Sequence, residues 1–142
     1  MHPDDLLRPA IAGLADGLGE LPPNVRTAPF LPHDALLPLV DGMVTNGGWG
    51  GVLAAVEAGV PLVVAGADLD KPEVARRVAW SGVGVDRRTR RPRRAAVRIA
   101  VDRVLGTPDF RSRARALGER MTAAGGATTA ADAVESVLGG RC

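Results

Sequence analysis

The chain has 142 residues, a formal net charge of +2 and 46% hydrophobic residues, which favours one globular domain that covers residues 1–142. Its one cysteine, Cys142, excludes an internal disulfide bond and a cysteine-based metal site. No apolar run approaches the roughly 20 residues that span a bilayer. Because the first residues lack the basic start and apolar run of a signal peptide, we expect a cytoplasmic protein.

The first part of the chain predicts a helix, a loop and a short strand. Apolar residues recur with helical spacing over residues 4–16, which predicts a helix there. A loop over residues 17–24 and a short strand over residues 25–30 follow. Residues 34–37 are expected to form a short turn that begins at an aspartate.

Two apolar runs then flank a glycine-rich segment. Residues 39–45 predict a buried strand, and residues 51–58 predict a helix that ends at a glycine. Residues 59–66 are almost continuously apolar, which is typical of a parallel strand that is covered on both faces.

The remaining sequence alternates once more and then becomes helical. Asp70 and Glu73 have the spacing of a capping box, with a proline between them, and predict a helix from Asp70 to about Trp80. Residues 83–85 predict a third short strand. Three further helices are predicted, over about 93–105, 108–123 and 128–138. This alternation indicates an α/β fold with a doubly wound parallel sheet and C-terminal helices.

The segment from Thr45 to Gly51 is a strand–turn–helix junction that is rich in glycine. The first N–H groups of a helix have no partner within that helix, and the helix dipole favours a negative group in front of them. A glycine-rich turn at that place predicts an anion site, with phosphate as the leading candidate. A sharp bend required only for packing would use the same residues. The segment is neither a P-loop nor a dinucleotide-binding fingerprint.

Six arginines lie within the eight residues from Arg87 to Arg94. Such a run could bind nucleic acid phosphates, which is one alternative function for this chain. No aromatic residue for base stacking lies within the run. We therefore interpret the run as a solvated loop that enters a helix.

Four blocks in a fixed order resemble the donor-binding segment of nucleotide-sugar glycosyltransferases with the two-domain GT-B fold. They are Phe30-x-Pro32-His33, the run Asn46 to Gly51, Gly59-Val60-Pro61, and Asp70-Lys71. The branch is the one that contains bacterial antibiotic and macrolide glycosyltransferases and plant UDP-glucosyltransferases. The likeness covers roughly residues 22–105 and implies a UDP- or dTDP-activated sugar as donor substrate, with no metal and no other cofactor.

The resemblance also implies roles for single residues. Phe30 stands where the family has a tryptophan that stacks on the nucleotide base, and His33 stands near the base and ribose. Asn46 replaces a histidine that contacts the diphosphate. Asp70 matches the acidic residue that binds sugar hydroxyls, and Lys71 replaces its glutamine partner. The implied donor-binding residues are Phe30, His33, Asn46, Gly47, Gly48, Trp49, Gly50, Gly51, Asp70 and Lys71.

Two departures from the family pattern affect the donor site. Gly51 replaces a frequent serine or threonine, so that one hydroxyl donor is lost. Ala54 occupies the place of a glutamate that binds the ribose hydroxyls in other members. Antibiotic-type members also lack this glutamate. The choice between UDP and dTDP donors therefore stays open.

The resemblance implies more protein than this chain contains. Family members have an N-terminal acceptor domain whose histidine acts as general base for inverting transfer to a small lipophilic acceptor, and no catalytic residue is predicted here. The donor half itself is expected to lack its first strands. The predicted function is therefore the donor domain of a natural-product glycosyltransferase, with an inactive fragment or a stand-alone nucleotide-binding module as the alternative.

Overall fold

The computed structural model describes residues 10–12, 22–66, 68–89 and 91–139, the first three by their backbone only. The chain divides into an N-terminal unit, Met1–Pro32, and a larger second unit, His33–Cys142.

The N-terminal unit contains two parallel strands, β1 (Ala10–Ala12) and β2 (Arg26–Ala28). The helix predicted over residues 4–16 is therefore wrong at positions 10–12, where hydrogen bonding to β2 replaces helical bonding. The rest of that helix and residues 17–21 lie outside the described residues. The predicted strand over 25–30 is confirmed in its central residues.

The second unit opens with short elements that lead to a strand. Helix α1 (His33–Leu36) and a 3-10 turn (Leu37–Leu39) precede β3 (Met43–Thr45). The predicted strand over 39–45 is correct only for its last three residues, because Pro38 fits the start of the 3-10 turn. β3 is also less buried than predicted, since Val44 is 53% exposed on a strand that pairs on one side only within this sheet.

Strands and helices then alternate as predicted. Helix α2 (Trp49–Glu57), strand β4 (Leu62–Val64), helix α3 (Lys71–Ser81) and strand β5 (Gly84–Asp86) follow in order. The sheet is parallel, with strand order β3-β4-β5, and β4 is fully buried at its centre. Three helices complete the unit: α4 (Arg94–Gly106), α5 (Pro108–Ala123) and α6 (Gly126–Gly139).

The core lies on both faces of the sheet because side chains along β4 alternate between them. Leu62 and Val64 pack with residues of α2, α3 and α5 on one face. Val63 points to the other face and packs against Ala100 and Val104 of α4. Since the three strands are parallel, the loops that follow β3, β4 and β5 all lie at one edge of the sheet, which is where ligands bind in open α/β sheets.

Candidate functional site

Two side chains accept hydrogen bonds from the backbone of the turn between β3 and α2. The Gly47 N–H donates to Thr45 Oγ1 at 3.3 Å, and the Gly48 N–H donates to Asn46 Oδ1 at 3.2 Å. Gly47 has a φ of +88°, in the left-handed region that favours glycine. Gly48 is extended and is the N-cap of α2. Asn46 therefore holds the shape of the turn, and its Nδ2 makes no hydrogen bond to any described residue.

The first turn of α2 presents a group of N–H donors without partners. The first hydrogen bond of the helix joins the Val52 N–H to the Gly48 carbonyl oxygen at 3.1 Å. No side chain caps this helix, so the N–H groups of Trp49, Gly50 and Gly51 have no hydrogen-bond partner within the described part of the chain. An anion in front of them would receive several hydrogen bonds and the favourable end of the helix dipole.

Two glycines let the loops after β3 and β4 approach each other closely. A Cβ atom at Gly47 would lie 2.8 Å from Val64 Cγ1, and a Cβ atom at Gly66 would overlap the Asn46 carbonyl oxygen. The Cβ atom of Lys71 lies 3.2 Å from the Cβ position of Gly66 and 3.7 Å from that of Gly47. The start of α3 is therefore packed directly beside the glycine turn, with the Cβ atom of Lys71 next to Gly47.

The first residues of α3 do not form the predicted capping box. Asp70 is the N-cap, but its side chain makes no capping hydrogen bond. The Glu73 carboxylate bonds Arg76 Nη2 at 2.8 Å and Arg77 Nε at 3.0 Å instead. The hydrogen bond from Arg76, together with the charges of Arg77 and Arg76, lowers the pKa of Glu73. Because nothing in the helix uses the exposed Asp70 carboxylate, that carboxylate is available to a ligand.

Of the residues predicted to hold the nucleotide base, His33 belongs to the same unit as the turn. His33 Cε1 lies 3.8 Å from the Cβ position of Gly51, next to Met43 Cε at 3.6 Å, so His33 borders the first turn of α2. Trp49 is about half exposed. Phe30 belongs to the N-terminal unit, where its ring is exposed.

A cleft of about 350 Å³ adjoins this edge of the sheet and was not predicted from the sequence. It is lined by Gly66, Pro72, Arg76, Asp86 and Arg88. A larger cleft of about 480 Å³ lies at the opposite end of α2, away from the glycine turn, and is lined in part by Glu57, Arg115 and Glu119.

Among the residues that the structure describes, no group of three or more histidine, cysteine, aspartate or glutamate side chains is placed to hold a metal ion. Within the same residues, no helix is both long enough and apolar enough to cross a membrane.

Comparisons with known proteins agree on one family. Residues 10–137 match the C-terminal domain of proteins like erythromycin biosynthesis protein CIII. The 4'-demethylrebeccamycin synthase of Lentzea aerocolonigenes is 47% identical over 135 residues, which are 95% of this chain and 32% of that protein. Among solved structures, the glycotransferase of kitacinnamycin aligns with a TM-score of 0.77 and 35% identity, over 87% of this chain and 32% of that one.

A further solved structure contains a nucleotide. Glycosyltransferase VinC in complex with dTDP aligns with a TM-score of 0.72 and 29% identity, over 78% of this chain and 29% of that one. The chain therefore spans about a third of the length of these three proteins.

Proposed function

Because this chain belongs to the erythromycin CIII-like family of glycosyltransferase C-terminal domains, we propose that its glycine turn binds the diphosphate of a UDP- or dTDP-activated sugar. The same matches confirm the GT-B fold class and the resemblance found in the sequence.

The observation that carries this proposal is the set of unpartnered N–H groups at Trp49, Gly50 and Gly51. They begin a helix of nine residues, so that the helix dipole adds about 0.3–1 kcal/mol for an anion at this position. Lys71 supplies a full positive charge beside the turn, and Asn46 Nδ2 supplies another donor. These groups neutralise a diphosphate without a metal ion or any other cofactor.

The remaining parts of the donor are assigned by position and by resemblance. The sugar lies beyond the diphosphate, where the Asp70 carboxylate accepts hydrogen bonds from its hydroxyls and Lys71 donates. The base is assigned to the side of the turn that His33 borders, and the stacking role of Phe30 in the N-terminal unit is assigned by the resemblance alone. The donor-binding set is Phe30, His33, Asn46, Gly47, Gly48, Trp49, Gly50, Gly51, Asp70 and Lys71.

Transfer itself requires an acceptor domain in addition to this chain. Since the chain spans 32% of the length of the 4'-demethylrebeccamycin synthase, we assign it donor binding and assign the general base to an N-terminal domain. The complete reaction is inverting transfer of a hexosyl group to a small lipophilic acceptor in the cytoplasm. Much of its rate would come from holding donor and acceptor in line.

The test is a thermal melt of the chain with and without UDP or dTDP. A ligand at about 100 times its dissociation constant adds about 2.7 kcal/mol to the free energy of unfolding, which corresponds to a rise in Tm of roughly 5–10 °C. A shift with one nucleotide would support the donor site and identify its base. A cooperative melt that neither nucleotide shifts would contradict the proposal.

A substitution at Asn46 separates binding from folding. Asn46→Asp keeps the Oδ1 atom that accepts from Gly48 but adds a negative charge beside the diphosphate. We expect the turn to stay folded and nucleotide affinity to fall at least about tenfold, equivalent to ~1.4 kcal/mol. Ser112→Asp adds the same charge on the exposed side of α5 and serves as control. Equal affinities of the two variants would refute the placement of the diphosphate.

A further inference from the structure

The cleft between α3 and the loop after β5 combines a glycine and a proline with charged side chains. Arg76 reaches it from α3, and Arg88 reaches it from the loop after β5. Arg76 bonds Glu73 through Nη2, but a guanidinium has five N–H donors in a planar fork. Arg88 is almost fully exposed. The cleft therefore offers two guanidinium groups with donors that remain available.

Asp86 fixes the position of Arg88. Its side chain is only 7% exposed, its Oδ1 accepts the Arg88 N–H at 2.6 Å, and its Oδ2 lies 3.8 Å from Arg88 Nε. This carboxylate, which also lines the cleft, orients the loop that carries Arg88. Asp86 is thus a positioning residue for Arg88.

Backbone strain is concentrated at the same cleft. In the described part of the chain, Leu69 and Arg88 are the non-glycine residues with positive φ, at 54° and 50°. Arg88 lines the cleft, and Leu69 lies in the loop that joins two of its lining residues, Gly66 and Pro72. Such strain persists where the surrounding structure enforces it, and it is frequent at ligand sites.

The strand order places this cleft next to the proposed sugar position. The diphosphate is proposed at the end of β3 and the sugar at the end of β4, where Asp70 and Lys71 lie. β5 is the next strand along the sheet, about 4.8 Å further on. A group attached to the far side of the sugar, away from its anomeric carbon, would therefore face Arg76 and Arg88.

We propose that this cleft binds a carboxylate on the far side of the donor sugar, so that the site accepts a nucleotide-activated hexuronate. The inference rests on the proposed donor site. Guanidinium groups recognise carboxylates through paired hydrogen bonds, a geometry that a neutral hydroxymethyl group cannot match. The cleft thereby gives a specific role to one member of the arginine run, Arg88, whose neighbours Arg91 and Arg93 do not line it.

The test compares UDP-glucuronate with UDP-glucose by isothermal titration of the whole chain. We expect UDP-glucuronate to bind about tenfold more tightly, a ratio that shrinks as salt screens the arginines. Arg88→Gln and Arg76→Gln should bring the ratio close to one, and Arg88→Lys should give an intermediate value. The matched controls are Arg91→Gln and Arg77→Gln, which remove the same charge from neighbouring residues outside the cleft and should leave the ratio unchanged.

The outcomes separate this inference from the proposed function. If UDP or dTDP binds but the two sugar nucleotides bind equally, or if Arg88→Gln and Arg91→Gln behave alike, the carboxylate site is wrong and the donor site stands. If neither nucleotide binds, both proposals fail. If only dTDP binds, the affinities for glucuronate 1-phosphate and glucose 1-phosphate, which carry no base, are compared by NMR titration instead. The same affinity ratios, in the unchanged chain and in the variants, then test the carboxylate site.

Discussion

Substitution of Gly47 by alanine tests whether the glycine turn needs bare backbone. Gly47 has a φ of +88°, and an added Cβ atom would lie 2.8 Å from Val64 Cγ1. The left-handed conformation costs an L-residue about 1–2 kcal/mol, and an overlap in a packed core costs about 1–3 kcal/mol. We therefore expect Gly47→Ala to lower the free energy of unfolding by about 2–5 kcal/mol, a large share of the ~5–15 kcal/mol of a typical domain.

A double-mutant cycle separates these two costs. Val64→Ala removes the Cγ1 atom that the new Cβ meets, at the expense of a fully buried side chain. If the overlap matters, the double variant should be more stable than the sum of the single changes predicts, by about 1–3 kcal/mol. The cost that remains is the backbone strain. The measurement is urea unfolding of the four proteins, with equal m-values required for the comparison.

Gly50→Ala is the matched control within the same segment. No heavy atom lies within 4 Å of a Cβ atom at Gly50, and its φ is outside the positive range. Because Gly50 lies in the first turn of α2, alanine should raise the free energy of unfolding by about 0.5–1 kcal/mol. If Gly47→Ala is as mild as Gly50→Ala, or if the cycle shows no coupling to Val64, the turn does not have the geometry described above.

Three further predictions concern packing and charge in the second unit. Gly118→Ala places a Cβ atom against the Val56 carbonyl oxygen of α2, and we expect urea unfolding to show a loss of about 1–3 kcal/mol. Arg111→Ala removes bonds to Asp41 Oδ1 at 2.8 Å and to a backbone carbonyl oxygen; it should cost about 1 kcal/mol in low salt, and the loss should shrink in 1 M salt. The pKa of Glu73 is lowered in the folded state, so its ionised carboxylate stabilises the fold at neutral pH. The free energies of unfolding of Glu73→Gln and of the unchanged chain, measured in urea, should therefore converge as the pH falls below 4.5.

The centre of the fold could be predicted because its pattern is local and strong. Residues 59–66 are nearly all apolar, and β4 forms inside this run because strands on both sides and helices on both faces bury it. The glycine turn could also be predicted from the sequence, since a helix that starts after consecutive glycines leaves its first N–H groups without side-chain caps.

The errors fall where distant residues decide the structure. At positions 10–12 the apolar spacing predicted a helix, but pairing with β2 made a strand, and the sequence does not show such pairing. Pro9 and Gly13 flank these residues and disfavour a helix through them. At the start of α3, the Glu73 carboxylate accepts hydrogen bonds from Arg76 and Arg77, one helical turn further on. These charged hydrogen bonds replace the bond to the Asp70 N–H that a capping box requires.

The cleft at Arg88 could not be predicted from the sequence, because it also depends on contacts between separate segments. The arginine run suggested either nucleic acid binding or a solvated loop, because composition alone does not distinguish one arginine from the next. Only the buried Asp86, which holds the Arg88 backbone and guanidinium, and the facing Arg76 on α3 single out that residue. Arg90 lies outside the described residues.

The departures from the family pattern at the proposed donor site offset one another. Where the resemblance implies a histidine, a serine or threonine, and a glutamine, this chain has Asn46, Gly51 and Lys71, so that one hydroxyl donor is lost and one positive charge is gained. The N–H groups of α2 are unaffected because backbone donors do not depend on side-chain identity. Lys71 lies beside the turn only because Gly66 lets the two loops meet. The proposed diphosphate site therefore depends on backbone geometry and one cation, and the glycines that permit this packing constrain it more tightly than its polar side chains.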